Sequence, residues 1–98
     1  MARQKTRKTP LSEKEIFEIP LNVVERIDPG VAFRLGYLPL EYLRESNSLA
    51  VIARAGDDRS ESYHLEKKVF RANIVHRVYM TPEAWKKSYI RLYDRKLE

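Results

Sequence analysis

Apolar side chains recur most regularly in the segment that follows Thr81. At about 100° per residue they gather on one side of a helix, at Trp85, Tyr89, Leu92 and Tyr93, with Leu97 at the edge. Thr81 is a good N-cap, Pro82 suits the first helical position, and Glu83 complements the positive end of the helix dipole. The pattern predicts an amphipathic C-terminal helix that begins at Pro82.

Three segments before this helix have the pattern of strands. Residues 48–55 are almost all apolar or small, as expected for a strand that is buried on both faces. A polar turn at 56–60 separates them from 61–70, where Tyr63, Leu65 and Val69 alternate with polar residues. Alternation returns in 74–80, with Ile74, Val78 and Met80 on one face and Val75, Arg77 and Tyr79 on the other. Three strands at this spacing predict an antiparallel meander.

The first half of the chain has shorter patterns. Residues 15–19, closed by Pro20, favour a strand, and 20–27 favour a short helix. Residues 31–38 fit either a strand or a helical turn, and Pro39 fits the start of a helix that runs to Glu45. The whole order predicts an α+β fold, in which helices pack on a small antiparallel sheet of three to four strands.

Length and composition limit the classes of protein that fit. A chain of 98 residues supports one core, so we assign 13–98 to a single domain and 1–12 to a disordered basic arm. The lack of cysteine excludes disulfides and thiolate metal sites. No apolar run approaches the roughly 18 residues of a membrane span. No apolar signal segment follows the basic N-terminus, so we expect a cytoplasmic protein without a membrane partner.

Charge is sorted along the chain. Residues 1–8 have a net charge of +4, residues 9–58 of −4 and residues 59–98 of +5. Local clusters of charge shape the electrostatic field more than the net value does. The two positive ends predict a nucleic-acid partner, RNA or DNA. The acidic middle predicts a surface that faces away from nucleic acid or contacts a protein.

The basic arm is the first candidate for binding. It carries Arg3, Lys5, Arg7 and Lys8 and nothing that explains them as part of a core. Such an arm can follow a phosphate backbone in a salt-dependent manner, and the alternative is a solubilising tail.

The C-terminal helix carries the second candidate, a stripe formed by Lys87, Arg91 and Arg95. Residues four apart lie roughly 6 Å apart along a helix, which is close to the spacing of successive phosphates. The alternative is a solvated face whose cations favour the negative end of the helix dipole.

The third candidate is a basic strand region that contains Arg77 and Tyr79, with Lys67, Lys68 and Arg71 nearby. Interleaved Arg and Tyr can hold phosphates and stack on bases. The alternative is a face that packs under a helix, with Tyr79 in the core and Arg77 at its rim. The consensus of an RNA-recognition-motif strand is missing.

The remaining polar residues predict neither a catalytic site nor a cofactor. His64 and His76 lack a second metal ligand at helical or strand spacing, and His76 fits a hydrogen-bonded histidine in the core or at its rim. Asp57 and Asp58 fit a turn. No nucleophile elbow, phosphate loop or dinucleotide fingerprint occurs.

These observations favour a small, basic, non-enzymatic nucleic-acid-binding protein, associated with RNA or the ribosome or binding DNA. A second hypothesis is an interaction protein or structural subunit of a viral or ribosomal particle, which self-associates through opposite charges or exposed aromatic residues.

A third hypothesis is a nuclease. The predicted order of elements resembles that of the small mRNA-cleaving toxins of bacterial toxin–antitoxin pairs. That resemblance implies phosphate clamps and a general acid or base among Arg71, Arg77, Tyr79 and His64. The Gly-x-Tyr-Arg strand pattern of these toxins is missing here.

Overall fold

The chain folds as α+β, with a three-stranded mixed sheet and a C-terminal helix. The computed structural model describes residues 6–56 and 68–97, with side chains as far as Asp94. In chain order the elements are α1 (Glu13–Glu18), α2 (Leu21–Val24), α3 (Pro29–Leu35), β1 (Tyr37–Leu43), β2 (Ser48–Arg54), β3 (Ile74–Met80) and α4 (Pro82–Leu97). Three helices therefore precede the first strand, which differs from the order on which the resemblance to toxins was based.

The strands pair in the order β1-β2-β3, with β1 antiparallel and β3 parallel to the central β2. The antiparallel meander was therefore a wrong prediction. The connection from Arg54 to Ile74 exceeds the dozen or so residues that a parallel crossover needs. Residues 68–70, the end of the predicted strand at 61–70, form a helical turn, and 61–67 lie outside the described residues.

The first predicted strand, at 15–19, is the helix α1. Ser12 is its N-cap and forms a capping box with Glu15, because the Ser12 hydroxyl accepts from the Glu15 N–H and the Glu15 carboxylate accepts from the Ser12 N–H. This reciprocal pair stabilises the first helical turn more specifically than the short apolar run favours a strand. The helix predicted at 20–27 is present in part, as α2 and the turns after it.

The helix predicted from Pro39 to Glu45 is the strand β1. Gly36 ends α3 with φ at 74°, and β1 starts at the next residue. Proline fits the start of a helix, but it is also tolerated in edge strands and at bulges. Pro39 lies in an edge strand of the described sheet and next to a bulge at Pro39/Glu41.

The core lies between the sheet and α4. Trp85 is fully buried, and its indole Nε1–H donates to the Ile52 carbonyl at 3.1 Å. The hydroxyls of Tyr89 and Tyr93 donate to the carbonyls of Pro29 and Ile27, both at 3.0 Å. Burial raises the pKa of Tyr93 far above its usual value. These bonds connect α4 with β2 and with the chain at the start of α3.

The predicted core face of β3 is largely exposed. Ile74 and Val78 are 47% and 46% exposed, and only Met80 on that face is buried. The opposite face contributes Val75 and Tyr79, which pack against the core. His76, between Ile74 and Val78 on the same face, is exposed as well, so this face of β3 faces solvent from Ile74 to Val78. Whether this surface supports self-association stays a prediction.

Candidate nucleic-acid interface

Residues 7–11, which we call the arm root, are fixed between β3 and α4. The Arg7 N–H donates to the Tyr79 carbonyl and the Thr81 N–H donates to the Arg7 carbonyl, both at 2.9 Å, so Arg7 extends the sheet beside β3. Leu11 is 2% exposed. The arm predicted over 1–12 is therefore part of the fold from Arg7 onward, because Leu11 contributes to the core; residues 1–5 lie outside the described residues.

Two residues of α4 bind the end of the arm root. The Leu11 N–H donates to the buried Ser88 hydroxyl at 2.9 Å, and the Arg91 Nη1 donates to the Leu11 carbonyl at 2.8 Å. A buried residue whose N–H and C=O are both hydrogen-bonded is held strongly, since breaking either bond leaves an unsatisfied group. The structure thus brings two separately predicted features, the arm and the helix stripe, to one flank of α4.

The side chain of Arg7 is held by several hydrogen bonds within the fold. Its guanidinium forms a bidentate ion pair with Glu15, at 2.8 and 2.6 Å, and also donates to the carbonyls of Thr9 and Pro10. The hydrogen bonds from Arg7 and from the Ser12 N–H lower the pKa of Glu15 to about 2. A guanidinium paired in this way contributes less to phosphate binding than the sequence indicates.

Lys8 and Lys87 are exposed, and neither side chain makes a hydrogen bond or ion pair with another described residue. Lys8 lies in the arm root, and Lys87 precedes Arg91 by one helical turn. Arg91 is also exposed and keeps donors besides the one given to Leu11. Lys8, on the arm root, and Lys87 and Arg91, on α4, are therefore carried by two segments that the bonds at Leu11 hold together.

The predicted strand cations lie elsewhere. Lys68 and Arg71 are exposed and lie shortly before the start of β3. Arg7 pairs with Met80, the last residue of β3, and the seven residues of the strand span roughly 20 Å. Arg77 and Tyr79 are half-buried between these ends. Arg3, Lys5 and Lys67 lie outside the described residues, as do His64, Asp57 and Asp58, and Arg95 is placed in α4 by its backbone alone.

An aromatic patch on the other flank of α4 was missed from the sequence. Phe33 of α3 is 49% exposed, and its ring centroid lies 5.4 Å from that of Tyr89 and 6.2 Å from that of Trp85. The guanidinium carbon of Arg54 lies 5.6 Å from the Phe33 centroid and 4.7 Å from the Trp85 centroid. The sequence signal for this patch is the adjacent pair Phe33 and Arg34, which lies in the segment 31–38 whose pattern fits either a strand or a helical turn.

An acidic groove lies between the α1–α2 segment and β1. It has a volume of about 560 Å³, and its polar rim contains Glu15, Glu18 and Glu41 above the apolar side chains of Ile19, Pro20, Val23 and Leu40, next to Tyr42. Arg26 stacks on Tyr42, with its guanidinium carbon 3.4 Å from the ring centroid. Carboxylates disfavour phosphates, so this groove belongs to the acidic middle and not to the cationic surface.

Within the described residues, no group of His, Asp and Glu side chains has the arrangement of a metal site. His76 is exposed and not part of the core. No described helix is long and apolar enough to cross a bilayer. A scan against protein-family models finds no match, and comparison with curated proteins finds no significant similarity.

Proposed function

We propose that this protein binds nucleic acid without modifying it, and that the surface formed by the arm root and α4 holds the phosphate backbone. The observation that carries the proposal is the pair of hydrogen bonds from Ser88 and Arg91 to the backbone of Leu11. They fix the base of the cationic N-terminus alongside the helix that carries Lys87 and Arg91. Three cations on one rigid support bind a polyanion with less loss of conformational entropy than three on a free tail.

The acidic groove supports the same orientation. A nucleic acid that meets the arm root is attracted by Lys8, Lys87 and Arg91, and its phosphates are repelled at Glu18 and Glu41. The charge sorting along the chain therefore gives the molecule a preferred side for a polyanion.

A salt-graded binding assay with matched variants tests the proposal. K8Q/K87Q removes two exposed cations of this surface, and K14Q/R44Q removes two exposed cations outside it, one from α1 and one from the turn after β1. Each phosphate contact contributes roughly 0.7 to 0.9 to the slope of log K against log salt concentration. We expect K8Q/K87Q to lower the slope by about 1 to 2 and K14Q/R44Q to lower it by less than half as much.

Equal losses in the two double variants would assign binding to net charge and contradict the surface. Absence of binding to duplex DNA, single strands and structured RNA at about 50 mM salt would overturn the function itself. The contribution of the first residues is tested by R3Q/K5Q. Deletion of 1–12 is unsuitable, because it removes the buried Leu11 and the N-cap Ser12.

A further inference from the structure

Phe33 has the geometry of a stacking platform. Its ring contacts the rings of Trp85 and Tyr89 in a tilted geometry, with centroid distances of 6.2 and 5.4 Å and angles of 54° and 57° between planes. Trp85 and Tyr89 are themselves stacked, at 5.4 Å and 15° between planes, and both donate to backbone carbonyls. Phe33 therefore packs against a rigid pair of stacked rings, and 49% of the residue still faces solvent.

Phe33 packs against Trp85 and Tyr89, yet about half of its own surface still faces solvent, so its ring offers more aromatic surface than these contacts use. A large exposed aromatic residue on a fixed support is a common recognition element for ligands that have a flat π-face.

Cations surround the platform. Arg54 lies over the rings of Phe33 and Trp85, and Arg34, the next residue after Phe33, is exposed. Lys86 is exposed and lies three residues before Tyr89, which makes the two neighbours on α4. A flat ligand on Phe33 would thus have positive charges beside it, as expected for a base attached to phosphates.

We infer that Phe33 stacks on an unpaired base of a single-stranded nucleic acid, with Arg34, Arg54 and Lys86 beside the phosphates that flank it. This inference rests on the proposed function and specifies its ligand: a strand with accessible bases in preference to a duplex, whose bases are already stacked. A side chain on the surface of a domain reaches the face of a base only when that base is unstacked.

The test compares two single-stranded 12-mers of equal phosphate number, one with thymine bases and one abasic, and repeats the pair with uracil in RNA to separate DNA from RNA. We expect the wild type to bind the base-containing strands about tenfold more tightly than the abasic strands. F33L keeps apolar volume and removes the ring, so it should abolish that difference. F33Y keeps the ring and should retain the difference to within about threefold. Circular dichroism and thermal unfolding confirm that each variant is folded.

The outcomes separate the two proposals. Binding of abasic and base-containing strands with equal affinity overturns the platform and leaves the phosphate-binding function standing. A base-dependent difference that F33L preserves also overturns the platform. Failure of the wild type to bind any of the strands at low salt, together with no binding to duplex, overturns both.

Discussion

Arg7 and Glu15 connect three parts of the chain. The backbone of Arg7 pairs beside β3, while its side chain binds Glu15, which also caps α1 through the Ser12 N–H. The two side chains are 36% and 40% exposed. Water therefore screens much of their attraction, and the pair contributes to stability on the scale of a surface ion pair of good geometry, about 0.5–1 kcal/mol.

E15Q tests this pair without removing the cap, because glutamine can also complete a capping box. The pKa of Glu15 is lowered from 4.5 to about 2 in the folded state. Its stabilising contribution is therefore fully present above about pH 4.5 and is lost as pH falls through about 2. We expect E15Q to lower the free energy of unfolding by about 0.5–1 kcal/mol at pH 7, and the difference from wild type to shrink towards pH 2.

Urea unfolding at pH 7 and pH 2.5 measures both values, and E13Q is the control. Glu13 lies in the same first turn of α1 and is exposed. A loss for E13Q equal to that for E15Q would assign the effect to the helix dipole. A loss for E15Q that is the same at both pH values would exclude the charge of Glu15 as its cause.

At the scale of elements, Gly36 determines where α3 ends and β1 begins. Its φ of 74° is left-handed, its N–H donates to the Ala32 carbonyl and its carbonyl accepts from the Arg54 N–H, both at 2.8 Å. One residue therefore closes the helix and places the first strand beside β2.

G36A should destabilise the fold by about 1–2 kcal/mol, because a Cβ is strained in the left-handed region. For a domain of this size, each kcal/mol corresponds to a fall in Tm of roughly 4–8 °C. G36N should lose less, since asparagine visits this region more readily. Thermal unfolding of the three proteins measures the effect, and an unchanged Tm for G36A would contradict the assigned conformation.

The elements show what the sequence can and cannot predict. β2 and α4 were predicted because a continuous apolar run and a helical apolar period each fix one element locally. The apolar pattern of 15–19 favours a strand although Ser12 and Glu15 carry the capping-box signal of α1, so this helix was not predicted. The strand β1 and the parallel pairing of β3 depend on contacts with β2, which are distant in sequence.

The sequence likewise predicts only part of the candidate site. The sequence shows that Arg7 and Arg91 are cations, but not that Glu15 and the Leu11 carbonyl hold them. The exposure of Phe33 is likewise set by how α3 meets α4, which no local pattern determines.

At the scale of the whole molecule, the charge sorted along the chain forms two neighbouring surfaces that meet at the Arg7–Glu15 ion pair. The cations of the arm root and α4 lie on one surface, and Glu18 and Glu41 lie at the groove between α1–α2 and β1. At physiological salt the Debye length is about 8 Å, so each surface acts largely on what touches it. At low salt both surfaces act on a distant polyanion, which the cations attract and the carboxylates repel.

E18Q/E41Q tests this separation. The variant removes two negative charges at the groove and none from the arm root. At about 10 mM salt the Debye length is about 30 Å, so association with a nucleic acid should be a few-fold faster. At about 150 mM the rate and affinity should match those of the wild type, because screening removes the long-range effect.

E13Q/E25Q removes two exposed carboxylates outside the groove lining and should behave in the same way. Stopped-flow association at both salt concentrations gives the rates. A change in affinity at about 150 mM salt that E18Q/E41Q shows and E13Q/E25Q does not would mean that the ligand enters the groove, which would contradict the placement of nucleic acid on the cationic surface.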